Sequence, residues 1–114
     1  MVLILTANGQ NMAGGTIGTV AAAGSTAADA TLLCCDLNYV SAGDGTKGVI
    51  LSNNVQVGSA AFVSNESGSI LKVYPPTSGT LNALTATSGS VSVAANKAGI
   101  FWRLTDIKWG VAYA

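Results

Sequence analysis

Residues 99–113 read GIFWRLTDIKWGVAY, and this stretch decides the fold class. Two runs rich in aromatic and β-branched residues flank Thr105-Asp106, which predicts that strands at 99–105 and 107–113 pair through a turn. In the second strand, alternation places four apolar side chains on one face, those of Ile107, Trp109, Val111 and Tyr113. Lys108 and Gly110 fall on the opposite face. One face is therefore expected to be core, and the other wet or interfacial.

The same kind of pattern recurs upstream. Short runs of Val, Ile, Thr and aromatic residues alternate with Gly, Asn, Ser and Asp at a spacing of roughly ten residues, and no sustained helical stripe interrupts them. This predicts an all-β fold, a small antiparallel β-sandwich or barrel-like domain, with a jelly-roll-like arrangement among the options. The other expected strands are residues 17–22, 31–37, 47–52, 60–64, 69–74 and 90–94.

The clearest upstream hairpin joins residues 61–64 to residues 69–74. The four residues Asn65-Glu66-Ser67-Gly68 would form its loop, in which Gly68 can adopt the positive φ that such loops often need. Pro75-Pro76 has no backbone N–H to donate, so the second strand is expected to end before it.

The chain of 114 residues is long enough for one domain and too short for two. We expect a single β domain at 17–114, preceded by residues 1–16 as an N-terminal arm or as a first strand with a flexible tether. Val2, Leu3, Ile4 and Leu5 form an apolar run before a Gly- and Asn-containing stretch. This run fits the first strand of the domain's own sheet, the favoured interpretation, or an extended arm that contacts a neighbouring subunit.

Charge is scarce and balanced. Five Lys+Arg and five Asp+Glu give a formal net charge of zero, charged residues make up 9%, and there is no His. Typical soluble domains carry about 25% charged residues. Nucleic-acid binding needs clustered cations, so no nucleic-acid partner is expected. No apolar run approaches the ~18 residues of a membrane span, so no membrane partner is expected either. A neutral surface of small residues favours association with another protein surface.

The carboxylates do not form a pattern typical of catalysis or metal binding. They are dispersed along the chain at Asp29, Asp36, Asp44, Glu66 and Asp106, and their spacing does not match a calcium loop. Turn aspartates such as Asp44 usually bond their own backbone. No hydroxyl nucleophile has a His or a Ser-x-x-Lys arrangement to activate it. We therefore expect no enzymatic activity, no cofactor and no metal.

Cys34 and Cys35 are adjacent. On a continuous strand their side chains would point to opposite faces, so we expect a pair of buried small hydrophobes without a bond between them. Zinc binding, which uses spaced Cys and His residues, is not expected.

Four aromatic residues leave two interpretations open. Tyr74, Trp102, Trp109 and Tyr113 could form a sugar-stacking platform, or they could fill the core. Aromatic side chains at alternate positions of adjacent strands usually fill the core of a small sandwich, so core packing is favoured.

Several short motifs lie in the second half of the chain. They are an Asn65-x-Ser67-Gly68 turn, ILKVYPP at residues 70–76, SGTLN at residues 78–82, SVSVAANKA at residues 90–98, and a closing aromatic strand with Trp109. With these motifs the chain from about Val49 onward resembles small virion proteins of tailed bacteriophages, including capsid decoration and cement proteins. It departs from their pattern at one position: the turn after Leu81-Asn82 often continues with Gly in such proteins, and here the residue is Ala83.

The resemblance implies a structural virion protein that binds between capsomers and stabilises the phage head. Its implied partners are other copies of itself, with a trimer as the expected form, and the major capsid protein. It would be made in the host cytoplasm and reside on the phage head surface. Two alternatives remain: another virion part, such as a tail or head-fibre knob, and a carbohydrate-binding surface module.

Overall fold

A computed structural model describes residues 17–85 and 89–113, with the backbone alone described for Ile17 and Tyr113. The described residues form eleven strands and no helix. The strands are β1 (Ile17–Ala21), β2 (Thr31–Leu32), β3 (Leu37–Ala42), β4 (Gly48–Ile50), β5 (Ala60–Asn65), β6 (Leu71–Tyr74), β7 (Thr80–Leu81), β8 (Leu84–Thr85), β9 (Val91–Val93), β10 (Ala98–Arg103) and β11 (Lys108–Tyr113). The all-β class is confirmed. The alternatives for Val2–Leu5 concern residues that lie outside the described part.

The strands form two sheets. The large sheet has the order β1-β3-β5-β10-β11-β7-β8, and the small sheet has the order β2-β4-β6-β9. Pairing is mixed, whereas a purely antiparallel arrangement was expected: five of the nine described pairs are parallel and four are antiparallel. The reason is the connectivity, because β1 to β6 alternate between the two sheets. Each return to a sheet brings the chain back in the same direction, so neighbours run parallel.

This alternation also overturns the predicted hairpin between residues 61–64 and 69–74, since β5 lies in the large sheet and β6 in the small one. The turn between them is a corner. Gly68 does adopt a positive φ there, of 83°, and β6 ends at Tyr74, immediately before Pro75-Pro76. The hairpin at the end of the chain is confirmed: β10 and β11 pair antiparallel, with Phe101 opposite Val111.

Two other strand predictions need correction. The single strand expected at residues 31–37 is two strands in different sheets, β2 and β3, separated by residues 33–36. The longer of the two, β3, extends past Leu37 to Ala42, and it includes Asn38 and Ala42, residue types that are depleted in strands. The short strands β7 and β8 were also missed, because their two-residue length lies below what an alternating pattern can reveal.

The hydrophobic core lies between the facing sides of the two sheets. The large sheet contributes its buried side chains from β3, β5, β10 and β11, which are Val40, Ala61, Val63, Phe101 and Trp109. The small sheet contributes Val49, Leu71, Val73, Val91 and Val93. Burial alternates along these strands, as in β9, where Ser92 is exposed between two buried valines. Because of this alternation, every second residue of these strands faces away from the core.

Candidate interaction surface

The large sheet presents an apolar surface on the side that faces away from the core. We call this surface the outer face and define it by alternate residues of β3, β5, β10 and β11, which are Leu37, Tyr39, Ser41, Ala60, Phe62, Ser64, Ala98, Ile100, Trp102, Lys108, Gly110 and Ala112. The residues between them, such as Val40, Val63 and Phe101, belong to the core. The outer face thus results from the same period of two that builds the core.

Strand register aligns the apolar side chains of the outer face into a row. Leu37 pairs with Phe62, Phe62 pairs with Ile100, and Ile100 pairs with Ala112. Directly paired side chains on neighbouring strands lie about 4.5–5.5 Å apart at Cβ, close enough to contact. Four strands therefore carry one continuous apolar row.

Two shorter rows flank it. Tyr39 pairs with Ser64, which pairs with Ala98. On the other side Trp102 pairs with both Ala60 and Gly110. Tyr39 is 46% exposed and Trp102 is 40% exposed. A large aromatic side chain is thus partly exposed to solvent on each side of the central row.

Leu104 extends this surface beyond the end of β10. It is 53% exposed, and its Cδ1 lies 3.3 Å from the position that a Cβ at Gly110 would occupy. The missing side chain at Gly110 therefore leaves the space in which Leu104 lies over β11. A larger residue at position 110 would displace it.

A groove of about 250 Å³ runs along the outer face between β3 and β10. Its lining residues are Leu37, Asn38, Tyr39, Phe62, Val63, Ser64 and Ala98. The hydroxyl of Ser64 donates to Glu66 Oε2 at 2.9 Å, so this polar group of the lining is already bonded. The groove is therefore suited to apolar groups.

Charge is nearly absent from this surface. Lys108 is the one charged residue among the twelve defined positions, and it lies at the start of β11.

The outward side of the small sheet, unlike the outer face of the large sheet, is partly covered by its own side chains. Tyr74 lies against Gly48, where a Cβ would meet its Cε2 at 2.7 Å, and its hydroxyl donates to Ser25 O at 2.9 Å. The two sheets thus differ in how far the chain covers them.

The four aromatic residues considered for a sugar platform do not share one surface. Trp109 and Tyr74 are both buried, at 0% and 5% exposed, as the core interpretation predicts, but Tyr74 is buried against Gly48 on the outward side of the small sheet. Trp102 is on the outer face, on the opposite side of the large sheet from Trp109. For Tyr113 the side chain lies outside the described part. Ile107, expected on the core face, is instead 57% exposed, because β11 begins one residue later.

The prediction for Cys34 and Cys35 is wrong, because their Sγ atoms form a disulfide. The rule that neighbouring side chains point apart holds on a continuous strand, but both cysteines lie in the interruption between β2 and β3. Cys34 is exposed and Cys35 is half-buried, so they are not buried hydrophobes. Gly18 of β1 packs on the pair: a Cβ there would lie 2.8 Å from Cys35 Sγ and 2.9 Å from Cys34 Sγ.

A small cavity of about 60 Å³ lies beside the disulfide. Its lining includes both cysteines, Asp36, Ser52 and Val55. Pockets for small molecules usually measure about 300–1,000 Å³, and one water needs about 10–15 Å³ of such volume. The cavity is therefore of a size for a few waters.

The carboxylates are mostly engaged in local contacts. Asp44 Oδ1 accepts hydrogen bonds from the hydroxyl of Thr46 at 2.6 Å and from its backbone N–H at 2.9 Å. These bonds, the hydroxyl first, hold the pKa of Asp44 below its ordinary value of 3.8. This confirms that Asp44 bonds its own turn. Within residues 17–85 and 89–113, no three His, Cys, Asp or Glu side chains come together as a metal-binding group.

Sequence reasoning did not find the outer face. The predicted strands end at Leu37 and leave out Tyr39, and Phe62 belongs to a predicted hairpin that the structure does not form. The available signal was the alternation of Ala61 and Val63 with Phe62 in β5. This alternation shows two sides of a strand, but register with β3 and β10 is needed to show that the second side is apolar too.

No family model, curated protein or solved structure matches this chain. Among the described residues there is no helix with the length and apolar character needed to span a membrane. The interpretation of the outer face therefore depends on its geometry and chemistry.

Proposed function

We propose that this protein is a structural virion protein that decorates a phage head and stabilises it by binding between capsomers. The observation that carries the proposal is the outer face: an apolar, nearly uncharged sheet surface exposed on a chain of zero net charge. Soluble monomers rarely expose large contiguous apolar patches, and larger ones mark interaction sites. A cement protein needs such surfaces, because it holds neighbouring proteins together by passive contact.

The residues that carry the resemblance to virion proteins lie in turns and in the core. Ser78, Asn82 and Asn96 adopt positive φ values of 67°, 55° and 61°, and Trp109 is in the core. At the departure from the family pattern, Asn82 takes the positive φ of the β7–β8 turn, so Ala83 can stand where Gly often does. These residues build turns and core. The outer face, by contrast, is available for binding to a partner.

In the proposed role the protein acts as a homo-oligomer, with a trimer as the expected form, and contacts the major capsid protein. A stable interface buries about 800 Å² per partner. The exposed surface of the chain is 5737 Å², so contacts with sister subunits and shell together could cover a large share of it. Small neutral side chains are compatible with that degree of coverage.

The test compares phage particles that contain the protein with particles that lack it. Heating at matched ionic strength should release DNA from the deficient particles at a lower temperature, and adding purified protein back should restore the resistance. Equal resistance in both preparations would contradict the cement role. Glycan binding by the isolated protein, without capsid binding, would instead support the carbohydrate-binding alternative.

A further inference from the structure

The parallel part of the large sheet is exposed on a side that such sheets normally cover. β1, β3 and β5 run parallel, and parallel sheets occur almost only where both faces are buried. The core covers one face. On the other, Leu37, Tyr39 and Phe62 are at least partly exposed, and no described element of the chain packs over them.

We infer that the outer face is the surface through which copies of this chain bind one another. A partner must cover the apolar row from Leu37 to Ala112 and the flanking aromatics Tyr39 and Trp102. Aromatic residues at the centre of a patch and polar residues at its rim are typical of protein interfaces. On the outer face, Phe62 lies in the central row, and Lys108 lies at the start of β11, the last of the four strands.

The size of the face fits a second copy. Four strands, β3, β5, β10 and β11, adjoin in the large sheet and define the face. At about 4.8 Å between strands and about 3.3 Å per residue over six residues, their flat footprint is about 380 Å². Projecting side chains such as Tyr39, Trp102 and Leu104 add to the accessible area, so the face can supply a large part of the roughly 800 Å² per partner of a stable interface.

The chain's own N-terminal segment is too small to do the same. Val2–Leu5 is the apolar run outside the described part. Four extended residues reach about 13 Å, close to the three strand spacings that the central row crosses, but an extended segment is only one strand wide. Such a segment would leave the flanking rows with Tyr39 and Trp102 uncovered. A sheet or loop surface contributed by another folded copy can cover all three rows.

Charge also favours a second copy as the partner. Identical proteins carry identical net charge and therefore repel one another when that charge is large. This chain has a formal net charge of zero, and Lys108 is the one charge on the defined positions of the outer face. Two or three copies can bring this surface together without accumulating like charges.

The inference rests on the proposed function in one respect, the expectation that copies of the chain associate. It adds the surface through which they associate. In a trimer, the outer face of each copy would turn toward the three-fold axis and meet both neighbours. The test uses purified full-length protein without capsids. Its failure would therefore leave binding to the head as a separate question.

The experiment is sedimentation velocity over a range of protein concentrations. The wild-type protein should sediment as two or three copies. Tyr39→Lys and Trp102→Lys each place a charge on an exposed position of the outer face, and each should weaken self-association by at least about ten-fold. Tyr39→Ser is a milder variant that keeps the test valid if a Lys variant fails to fold, as judged by circular dichroism.

Leu32→Lys and Ile70→Lys are the matched controls. Their side chains are 62% and 52% exposed, but they belong to β2 and to the turn before β6, both on the side of the small sheet. They should self-associate like the wild type. A monomeric wild-type protein would overturn the inference, as would equal loss in the controls. If deletion of residues 1–10 exposes new dye-binding apolar surface on a monomer, the N-terminal segment covers the face and the inference is wrong.

Discussion

At residue 65, one buried amide connects three parts of the chain. Asn65 is 0% exposed, and its Nδ2 donates to Ser69 O at 2.7 Å and to Val93 O at 3.0 Å. Its Oδ1 accepts from the hydroxyl of Ser67 at 2.7 Å. The side chain therefore fixes the corner between β5 and β6 against the end of β9. It is the polar residue on which the crossing between the two sheets depends.

Replacing Asn65→Ala should lower the free energy of unfolding by about 3 kcal/mol or more, because several hydrogen bonds are lost and buried carbonyls are left unpaired. Urea denaturation measures the change. Asn54→Ala is the control, since Asn54 is exposed and its substitution should stay within about 0.5 kcal/mol. Equal effects at the two positions would mean that the Asn65 network contributes little.

Gly18 is required by the disulfide that it faces. A Cβ at this position would be closer than 3.0 Å to both Sγ atoms. Gly18→Ala should therefore destabilise the oxidised protein by about 1–3 kcal/mol, the range for overpacking. The disulfide joins adjacent residues and closes no long loop. The double substitution Cys34→Ser and Cys35→Ser should therefore by itself lower the free energy of unfolding by only about 1 kcal/mol.

Thermal melting of the four proteins in this cycle checks the contact. In the double serine background, Gly18→Ala should cost less, because the two hydroxyls are smaller than sulfur and are not bonded to each other. An identical cost in both backgrounds would show that Gly18 is needed for a reason unrelated to the cysteines.

At the scale of elements, Arg103 connects the last hairpin to the segment before β5. Its Nη1 donates to Asn53 O at 2.9 Å and to Val55 O at 2.8 Å, while Nη2 donates to Asp106 O at 2.7 Å. The side chain is 12% exposed, and its distance to Asp106 Oδ1 is 3.8 Å. The guanidinium acts mainly through these three carbonyls, since Asp106 itself is exposed.

Arg103→Lys should lower the free energy of unfolding by about 1–3 kcal/mol, because one ammonium cannot reproduce a planar fork of donors to three carbonyls. The melting temperature measures this. Lys97→Ala removes an exposed cation of the same sign and should change it little. If the two variants melt alike, the fork geometry of the Arg103 guanidinium contributes little to stability.

The N-terminal segment gives a second prediction at this scale. Deleting the first ten residues should weaken attachment to capsids more than it lowers the melting temperature. Each of Val2, Leu3, Ile4 and Leu5 would gain about 1.5–3 kcal/mol if fully buried on a neighbour, less the cost of ordering the segment. Particle binding and calorimetry on the same variant separate the two effects. The reverse pattern would make the segment a strand of the domain's own core.

The elements differ in how far sequence could predict them. Residues 99–113 are a local hairpin, so alternation and one turn were enough to predict β10, β11 and the burial of Trp109. The corner at Asn65 looks the same in sequence as a hairpin loop, because Asn-x-Ser-Gly suits both. Parallel neighbours such as β3 and β5 are distant in sequence, and their register depends on packing against the small sheet. The outer face exists only through that register, so no local pattern could have revealed it.

At the scale of the whole molecule, the scarcity of charge and the exposed outer face have the same consequence. Ten charged residues in 114 leave few ion pairs for any interface, and the described chain has one pair within 4.0 Å, Arg103 with Asp106. Apolar contact and neutral hydrogen bonds must then provide the binding energy. Salt screens ionic contacts strongly but leaves apolar contacts largely intact.

Both self-association and attachment to the capsid should therefore depend weakly on ionic strength. At about 0.5 M salt the Debye length is well under 10 Å, so an interface held by exposed ion pairs would weaken severely. We expect decorated particles to keep their added heat resistance at low salt and at this salt alike. Release of the protein by salt, with protection intact at low salt, would preserve the cement role and reject the neutral interface. Protection that strengthens slightly with salt would fit an apolar contact, since salts that are excluded from protein surfaces favour burial.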